Sequence, residues 1–582
     1  MPANARWVIP NYEPEQVVLL SNALHVASPL AKILVRRGLA DPADARRFLK
    51  PSLDELNDPA AMLDMLPAVD RLLRAIRDSE LILIYGDYDV DGTTSVVILS
   101  KAIELAGGRA IWHVPHRLRD GYGMRPEVVE RAAAEGVRLI VSVDTGIRAR
   151  RVVERANELG IDVIITDHHL PEEALPPAIA VLNPNRPGCP YPEKGLCGAG
   201  VAFKLVEALM DRLSWPTEKT RRVTESFLKM TAIATVADVV PLSGENRVIV
   251  KHGLDGLSQV RNPGLRALLD VAGFSGSRVP TSRQVAFQIA PRLNAAGRMD
   301  TAQAVIELFL TSDTGRACEL ARRLHDQNAE RQQVEAGIRE TCEQLRVEES
   351  AAGLVYYSEE WHRGVLGIVA SRLVERLHRP VFVLGLNPDD GTAQGSGRSI
   401  PRFHLLEALE AMPDLFLRFG GHKHAAGVTL DACRIPEFRE RFQGYAAGRL
   451  GPEDLRPELE IDGVLDFREI DTRAAEEVFA LAPFGCGNPA PLFAALNVEV
   501  AGPAMPWNGK HLRVVLRQNG RSLALKAWNF AERAAELEPG GRVDVVFSLE
   551  EDPYASARGY PGWMPVLRDV RSAVTSARTA SA

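Results

Sequence analysis

Three aspartates alternate along the stretch LILIYGDYDVDGTTS, residues 81–95, at Asp87, Asp89 and Asp91. The apolar run before them predicts a buried strand, and the apolar run after them predicts a helix. Alternate residues of an extended segment point the same way, so the three carboxylates would lie together. Carboxylates this close repel one another unless a cation sits among them, and a hard divalent cation with oxygen ligands is the usual solution.

Two simpler interpretations of this stretch compete with a metal site. A solvated acidic turn would explain the aspartates without any chemistry. The pattern also resembles part of a calcium-binding loop, but position 12 counted from Asp87 is Ile98, where such a loop needs a bidentate glutamate. The calcium-loop interpretation is therefore excluded, and the acidic turn stays open on this stretch alone.

Two more predicted strands end in residues that bind metals. The strand at 137–143 runs into Asp144, and the strand at 161–166 runs towards the pair His168 and His169. In an open α/β sheet, ligands bind at the carboxyl ends of the strands. A lone aspartate there is more often a helix cap, and a lone histidine pair is more often a surface pair. Three strand ends carrying such groups on one edge predict a metal site.

The residue types indicate which ions this site would hold. Carboxylate and imidazole ligands without thiolates suit Mn²⁺ or Mg²⁺ and argue against structural zinc. Five or six such ligands are too many for one ion that must also bind water and substrate. They suit two ions about 3.5–4 Å apart, an arrangement that cleaves phosphoesters by activating a bridging water.

Length, composition and charge limit the class of protein to which the chain can belong. Its 582 residues correspond to several domains at roughly 100–200 residues each, and 46% hydrophobic with 25% charged residues is ordinary for a soluble protein. No apolar run approaches the roughly 20 residues of a membrane span, and the first residues lack an apolar signal core. Six scattered cysteines without a CxxC pair are expected in a reducing cytoplasm. A net charge of −7 neither indicates nor excludes a nucleic-acid partner.

Hydrophobic patterning predicts several units along the chain. Alternating strands and helices over about 55–250 predict a largely parallel α/β sheet. A helical pattern at 311–345, roughly 45 Å long, is interpreted as a rod joining two lobes, with a surface helix of one domain as the alternative. Residues 350–450 predict a second α/β lobe that contains a small-residue loop at 394–399. Short alternating segments at 455–560 predict a small β-barrel.

Four segments in a fixed order resemble a known family. GDYDVDG, SVDTG, TDHH and ATVADVVPL resemble the four motifs of the DHH phosphoesterase superfamily, named for the Asp-His-His that stands here at 167–169. Further segments resemble its RecJ branch, the single-strand-specific DNA exonucleases that degrade from the 5′ end. These segments are HRLRDGYG, CPYPEKGLCGAGVAFKL, APRLNAAGRM, GVLGIVASRL, GSGRS, GGHKHAAG and APFGCGNPAPLF. The resemblance covers roughly residues 20–550.

The resemblance implies an α/β fold with two lobes, DHH and DHHA1, joined by a long helix and followed by a C-terminal β-barrel of the OB-fold. The boundaries expected on that basis are a helical N-terminal segment at 1–55, a DHH catalytic domain at 56–300, the connecting helix at 301–348, a DHHA1 domain at 349–452, an OB-fold domain at 453–565 and a disordered tail at 566–582.

Carried over residue by residue, the resemblance implies a set of catalytic metal ligands for two Mn²⁺ or Mg²⁺ ions. These ligands are Asp89, Asp91, Asp144, His168, His169 and Asp238. It also implies supporting roles for Asp87 and Asp167, since a carboxylate such as Asp167 commonly orients a ligand histidine. Many members of the wider superfamily have a histidine at the position of Tyr85, so one ion is expected to have fewer protein ligands here.

A second implied set of residues would bind DNA and its phosphates. It comprises Arg117, Tyr122, Arg292, Asn294, Arg298, Ser396, Arg398 and His422. Arginine grips phosphate through a fork of donors and tyrosine stacks on bases, although a polar surface loop or a hydrogen-bonded turn would explain such residues without DNA. In the predicted barrel, the candidates for stacking and for a basic groove are Lys510, His511, Arg513, Lys526 and Trp528.

The implied function is a single-stranded-DNA-specific exonuclease that digests 5′→3′, releases mononucleotides by two-metal hydrolysis and acts in DNA repair and recombination. The expected partners are single-stranded DNA, a single-strand-binding protein and a helicase, with no membrane, and the expected form is a cytoplasmic monomer. Two alternatives stay open. A DHH phosphodiesterase for very short or cyclic oligonucleotides would not need the barrel, and a catalytically silent scaffold would not need the complete ligand set.

Overall fold

The N-terminal segment begins with a short strand and three helices. The computed structural model describes residues 5–117, 119–276, 278–345, 351–388 and 390–573 of the chain. Each of the three helices has a proline in its first turn, and Asp41 caps the third helix by accepting two backbone hydrogen bonds. The elements are β1 (Arg6–Val8), α1 (Pro14–Leu24), α2 (Ser28–Arg36) and α3 (Pro42–Leu49).

A five-stranded sheet and its helices form the first unit. The elements are α4 (Met65–Arg77), β2 (Leu81–Tyr85), α5 (Val90–Leu105), β3 (Arg109–His113), α6 (Pro126–Ala134), β4 (Val137–Val143), α7 (Arg150–Glu158), β5 (Asp162–Thr166) and β6 (Ala180–Leu182). The strands are all parallel in the order β3-β2-β4-β5-β6, which confirms the predicted α/β sheet. The central strands β2, β4 and β5 are almost entirely buried, which explains their apolar runs. Three neighbouring strands therefore end at one edge.

Helices complete the first unit and lead out of it. The elements are α8 (Gly198–Leu213), α9 (Thr217–Ala237), α10 (Gly244–Gly256), α11 (Pro263–Val271), α12 (Ser282–Gln284), a π-helical segment (Val285–Ile289), α13 (Ala290–Met299), α14 (Gln303–Leu310) and α15 (Thr314–Gln344). The long helix α15 has 31 residues and a length of roughly 46 Å. The sequence predicts it from 311, whereas it begins at Thr314 because Asp313 caps it by accepting from the Arg316 N–H at 2.8 Å.

A second sheet of five strands forms the second unit. Its elements are β7 (Leu354–Ser358), α16 (Leu366–Leu377), β8 (Val381–Asn387), β9 (Thr392–Arg398), α17 (Leu405–Glu410), β10 (Arg418–Gly421), β11 (Ala425–Asp431) and α18 (Ile435–Ala447). The strand order is β10-β11-β9-β8-β7, with β7 and β8 parallel and the other pairs antiparallel. Helix α15 packs against α11 and α13 of the first unit and against α16 of the second, so it joins the two.

The prediction of a small-residue loop at 394–399 is wrong, because these residues lie largely in strand β9. Its glycines serve close packing on the neighbouring strand. A Cβ at Gly395 would lie 2.2 Å from a methyl carbon of Leu384. A Cβ at Gly397 would lie 2.5 Å from ring atoms of Phe382. The missing side chains therefore allow a tight strand pair.

The C-terminal segment forms a closed five-stranded β-barrel, which confirms the predicted OB-fold. Its elements are β12 (Glu458–Glu460), β13 (Gly463–Val464), α19 (Thr472–Phe479), β14 (Phe493–Val500), β15 (Met505–Trp507), β16 (His511–Gln518), β17 (Arg521–Ala527), β18 (Arg542–Glu551), α20 (Pro553–Ser556) and β19 (Trp563–Ser572). The barrel strands follow the order β14-β18-β19-β17-β16, and β16 pairs back with β14. This pairing closes the barrel and removes the free edges of its sheet.

The prediction of a disordered tail from 566 is wrong as far as Ser572. Residues up to Ser572 belong to β19, which pairs antiparallel with β18. Val566, Leu567 and Val570 are buried in the barrel, and this burial outweighs the polar composition that follows. The remainder of that prediction, at 574–582, lies outside the described residues.

The N-terminal helices share a hydrophobic core with the barrel. Ile33 and Leu34 of α2 are buried among apolar side chains of β14, β16 and β18. Strand β1 pairs in parallel with β12, and the Trp7 indole donates a hydrogen bond to Asp569 of β19 at 2.7 Å. The two ends of the described chain therefore pack as one body, called the barrel unit below.

Within the described ranges, no single helix combines the length and the apolar composition needed to cross a membrane. Helices α1 and α2 reach that length and composition only when taken together, and the pair is bent by 118°. Leu20 of α1 and Leu34 of α2 both belong to the core shared with the barrel.

Candidate active site

The acidic turn after β2 leads directly into a helix. Asp89 caps α5, and its carboxylate accepts from the Gly92 N–H at 3.0 Å. The prediction of three alternating residues in one extended segment is wrong, because the capped helix begins at Val90 and Asp91 lies in its first turn. The buried Asp91 carboxylate accepts from the first two backbone N–H groups of α8, at 2.6 and 2.8 Å. The positive end of α8 therefore fixes Asp91 in place.

The ends of β4 and β5 meet the end of α9 at one imidazole nitrogen. Asp144 follows β4 with φ 58°, which is uncommon for a residue other than glycine. His168 Nε2 lies 3.2 Å from Asp144 Oδ1 and 3.8 Å from a carboxylate oxygen of both Asp91 and Asp238. Asp238 ends α9, so groups from two strand ends, the first turn of α5 and the end of α9 converge here.

The buried carboxylate of Asp167 holds His169. Its Oδ1 accepts from the backbone N–H groups of His168 and His169 at 2.7 and 3.1 Å and lies 2.7 Å from His169 Nδ1. Burial raises the pKa of Asp167, but the hydrogen bond and charge of His169, together with backbone hydrogen bonds, lower it overall. Burial lowers the pKa of His169, but the hydrogen bond to Asp167, together with the charges of nearby carboxylates, raises it overall. With Nδ1 facing Asp167, Nε2 of His169 is left for another ligand.

The side chains at this edge form three overlapping groups that could hold a metal ion. The groups are Asp144 with His168 and His169, Asp91 with His168 and Asp238, and Asp87 with Asp89 and Asp144, each with its ligand atoms within 4.8 Å of one another. Asp144 and His168 each belong to two groups, so neighbouring ions would share ligands. Asp87, expected only in a supporting role, offers an oxygen directly to one group.

The electrostatics of these carboxylates fit divalent cations. Burial, followed by repulsion from Asp91 and Asp89, raises the pKa of Asp238 to about 9. Burial and neighbouring carboxylates also raise the pKa of Asp87 and that of Asp144. Asp87 Oδ1 and Asp144 Oδ1 are buried and make no hydrogen bond with any part of the chain that the structure describes. Such oxygens suit coordination of Mn²⁺ or Mg²⁺, whose charge would favour the ionised carboxylates.

Arginines of both units gather beside the carboxylates. Burial, followed by the charges of Arg117 and other arginines, lowers the pKa of Arg298 to about 9. Burial and then Arg117 lower the pKa of Arg398 in the second unit. The Arg298 guanidinium donates to Gly364 O at 3.1 Å, and that of Arg398 donates to Ser396 Oγ at 2.8 Å. The first of these hydrogen bonds links the two units next to the candidate metal site.

Two residues of α13 that were predicted to bind DNA contact other parts of the protein. Asn294 Oδ1 accepts from the Val90 N–H at 3.2 Å and so supports the acidic turn. Arg292 Nε donates to His325 Nδ1 at 3.2 Å and so ties α13 to α15. These contacts give both residues a role in positioning the elements, and DNA binding by either stays a prediction.

Tyr122 and His422 are exposed side chains of the predicted DNA-binding set. Tyr122 is 52% exposed, so part of its ring is accessible to a base, although the ring also packs edge-on against that of His169 and its hydroxyl lies 3.2 Å from His169 Nδ1. His422 lies in the turn between β10 and β11, where its backbone N–H donates to Ala425 O at 2.8 Å. Both residues are therefore accessible to a ligand.

Tyr85, the last residue of β2, anchors a loop. Its buried hydroxyl donates to Gly123 O at 3.4 Å and accepts from the Arg125 N–H at 3.1 Å. The loop that carries Tyr122 is thereby attached to β2, the strand that carries the acidic turn.

An aromatic cluster lies on the barrel at the β15–β16 hairpin. The ring centroid of Trp528 lies 5.1 Å from that of Trp507 and 5.0 Å from that of His511. The sequence predicts Trp528 and His511 as contacts for bases but not Trp507, which is 41% exposed. Its signal is the Asn-Gly turn that follows it, with both residues at positive φ. Lys526, another predicted contact, is paired with Asp552 at 3.3 Å.

Family models match three parts of the chain. Residues 81–235 match the DHH family, N-terminal domain, residues 350–448 match the DHHA1 domain, and residues 461–559 match the RecJ OB domain. The convergent groups at the sheet edge lie in the first match, apart from Asp238, and Arg398 lies in the second.

Relatives and crystal structures that are similar to most of this chain agree with the three family matches. The chain is 36% identical over 551 residues to the single-stranded-DNA-specific exonuclease RecJ of Bacillus subtilis strain 168, covering 94% of this chain and 68% of the relative. Its fold is similar to the crystal structure of RecJ from Thermus thermophilus in complex with Mn²⁺, with a TM-score of 0.83, 32% identity and coverage of 98% of this chain and 80% of that chain. The structure of the Thermus protein in complex with Mg²⁺ matches with a TM-score of 0.75, 30% identity and coverage of 98% and 79%.

Asp144→Asn is expected to weaken Mn²⁺ binding, because Asp144 belongs to two of the three groups. Calorimetric titration of the full chain should show a dissociation constant at least about 10-fold higher than that of the wild type. The matched control is Asp70→Asn, which changes an exposed carboxylate on α4 paired with Arg212 and should bind Mn²⁺ as the wild type does. Wild-type binding by Asp144→Asn would remove this residue from the metal site.

Proposed function

This chain belongs to the RecJ family of DHH phosphoesterases, and on that premise we propose that it is a metal-dependent exonuclease that digests single-stranded DNA 5′→3′ and releases mononucleotides. The observation that carries the proposal is the meeting of Asp91, Asp144 and Asp238 around His168, beside arginines of both units. Phosphodiester hydrolysis uses both kinds of group, namely metal ligands at the scissile phosphate and cationic side chains that bind phosphate oxygens.

The proposed metal ligands are Asp89, Asp91, Asp144, His168, His169 and Asp238, together with Asp87. When bound, two Mn²⁺ or Mg²⁺ ions supply a water of lowered pKa and neutralise the negative charge that develops during hydrolysis. The protein keeps the ligands in position before substrate arrives. The first N–H groups of α8 fix Asp91, and Asp167 fixes the ring of His169.

Arg398 and Ser396 are proposed to receive the terminal 5′-phosphate. A terminal phosphate carries more negative charge than an internal diester, so a cationic pocket favours it. Burial and then the charge of Arg117 lower the pKa of both Arg298 and Arg398, and a bound anion would relieve the repulsion among these side chains. A pocket that holds the 5′ end beside the metal ligands would set the direction of digestion.

Selectivity for single strands is proposed to come from the junction of the two units. The hydrogen bond from Arg298 to Gly364 joins them beside the carboxylates. A substrate that reaches the carboxylates passes along this junction, where we infer that one strand fits and a duplex does not. On the barrel, Trp507 and Trp528 would hold later bases by stacking, which contributes about 1–3 kcal/mol per base.

We also propose domain boundaries, a cellular location and protein partners. The DHH domain occupies 56–300, a connecting segment that contains α14 and α15 occupies 301–348, the DHHA1 domain occupies 349–452 and the OB-fold domain begins at 453 and includes β19 to Ser572, with helices α1 to α3 packed on the barrel. The protein acts as a monomer in the cytoplasm, in DNA repair and recombination. A helicase would supply the single strands, and a single-strand-binding protein would cover them.

Direction and preferred length are tested with one 40-nucleotide strand labelled at either end, in Mn²⁺. The 5′ label should appear at once as a mononucleotide, while the 3′-labelled strand shortens stepwise, and a chelator should stop both. The 40-nucleotide strand should be digested faster than a dinucleotide. Early release of the 3′ label would mean that digestion runs 3′→5′. Faster cleavage of the dinucleotide would favour a phosphodiesterase for short oligonucleotides. The absence of any chelator-sensitive release would favour a catalytically silent scaffold.

Arg398→Ala should reduce the preference for phosphorylated 5′ ends. A hydrogen bond to a charged group contributes roughly 1.5–3 kcal/mol, so the ratio of kcat/KM for 5′-phosphate over 5′-hydroxyl strands should fall by about 10-fold or more. The two strands share one sequence and are compared in the same assay. Arg402→Ala changes a more exposed arginine of the same unit and should keep the ratio. An unaltered ratio in Arg398→Ala would assign the 5′ end to other residues.

A further inference from the structure

A loop of the barrel unit touches the segment that carries Asp238. This clasp loop, residues 481–489, connects α19 to β14. The backbone carbonyl of Cys486 accepts a hydrogen bond from the Leu242 N–H at 2.7 Å. Leu242 lies four residues after Asp238, so the clasp loop binds the connection between α9, which ends at the metal-binding edge, and α10.

Two glycines of the clasp loop allow this close approach. A Cβ at Gly485 would lie 2.7 Å from a methyl carbon of Leu242, whose side chain is buried and has little room to move. Gly487 has φ 69°, and a Cβ there would lie 3.1 Å from the ring of Pro241. The glycines therefore shape a surface that fits the segment after Asp238.

The clasp loop is held in one shape by Asn488, whose side chain is fully buried. Its amide nitrogen donates to Leu481 O at 2.9 Å and to Pro483 O at 2.8 Å. Its amide oxygen accepts from Arg37, which follows α2 and also donates to Pro489 O at 2.8 Å. Hydrogen bonds within the loop and from Arg37 of the N-terminal segment thus hold the loop in this shape.

The clasp loop is also anchored on the first unit beyond the Asp238 segment. Arg247 of α10 is buried, and its guanidinium donates to Ala482 O at 3.1 Å and to Phe48 O at 2.7 Å. The Ser282 hydroxyl donates to Phe484 O at 2.6 Å. Together with the hydrogen bond from Leu242 to Cys486, three hydrogen bonds therefore dock the loop on the unit that contains the metal-binding edge.

The Asp238 segment is held from its other side by Asn246 of α10. The Asn246 amide donates to Pro241 O at 3.1 Å and to Gly195 O at 2.6 Å. Gly195 lies three residues before Gly198, the first residue of α8, whose N–H binds Asp91. Asn246 thus connects the supports of two carboxylates that meet at His168.

Backbone strain next to Asp238 explains why such support is needed. Val239 has φ 60°, a left-handed conformation that a β-branched residue rarely adopts, and its side chain is 68% exposed. Conformations of this kind persist only where the surroundings hold them. Val239 itself is too exposed to be held by burial, so the restraint comes from the contacts of Pro241 and Leu242.

We propose that the clasp loop positions Asp238 in the metal site, so that the barrel unit completes the catalytic centre in addition to any DNA binding. The inference rests on the proposed role of Asp238 as a metal ligand. Gly485, Gly487 and Asn488 are positioning residues in this account, because they act on Asp238 through the backbone at 241–242.

Gly485→Val in the full chain tests the proposal, since the added side chain pushes against Leu242. Three readouts are expected to change. The Mn²⁺ dissociation constant rises by about 10-fold in calorimetric titration, peptides covering 236–243 exchange amide hydrogen faster, and kcat falls while KM for a long single strand stays within about twofold. Gly502→Val, in the same unit but with open space around the new Cβ, is the matched control and should match the wild type in all three.

The outcomes separate this inference from the proposed function. A folded Gly485→Val variant with wild-type Mn²⁺ affinity overturns the inference, and so does a rise in KM alone, which would mean that the loop only binds DNA. If Gly485→Val does not fold, Gly485→Ala decides, with a smaller change in the same direction expected and no change counting against the inference. Failure of the wild type to digest single strands would instead overturn the proposed function, while the Mn²⁺ titrations would still test the clasp loop.

Discussion

Mutual repulsion among buried carboxylates is the constraint on which the rest of the structure depends. Asp87, Asp91, Asp144 and Asp238 lie close together with raised pKa values, and keeping them there costs free energy unless a cation joins them. Contacts formed elsewhere in the chain hold them in position. The repulsion that makes this carboxylate cluster unfavourable by itself favours the binding of a divalent cation such as Mn²⁺ or Mg²⁺.

Each carboxylate is positioned by a different local interaction, and these interactions come from distant parts of the chain. The start of α8 binds Asp91, a left-handed turn after β4 presents Asp144, and the barrel unit supports the segment after Asp238. The arginines beside these carboxylates also depend on contacts between units, because Arg298 of the first unit donates a hydrogen bond to a backbone carbonyl of the second. Chemistry at the sheet edge therefore depends on how all three units pack.

The sequence predicts the parts of this arrangement that follow from local patterns. Apolar runs bounded by acidic or histidine residues predict β2, β4 and β5 and place their ends at one edge, because central parallel strands are buried on both faces. Local patterns do not predict the features that depend on specific contacts. Asp91 lies in a helix because Asp89 caps it, and the glycines of β9 pack closely on β8 although their composition is typical of a loop. The hydrophobic core that Ile33 shares with the barrel has no local signal in the sequence. Asp87 joins a candidate group only through its distance to Asp144.

Anomalous diffraction from crystals of the full chain grown with Mn²⁺ would show whether these carboxylates bind two cations. We predict two manganese peaks about 3.5–4 Å apart, one beside Asp87 and Asp89 and the other beside His168 and Asp238, with Asp144 between them. Manganese bound elsewhere, or no manganese at this edge of the sheet under conditions in which the protein digests single strands, would contradict this prediction.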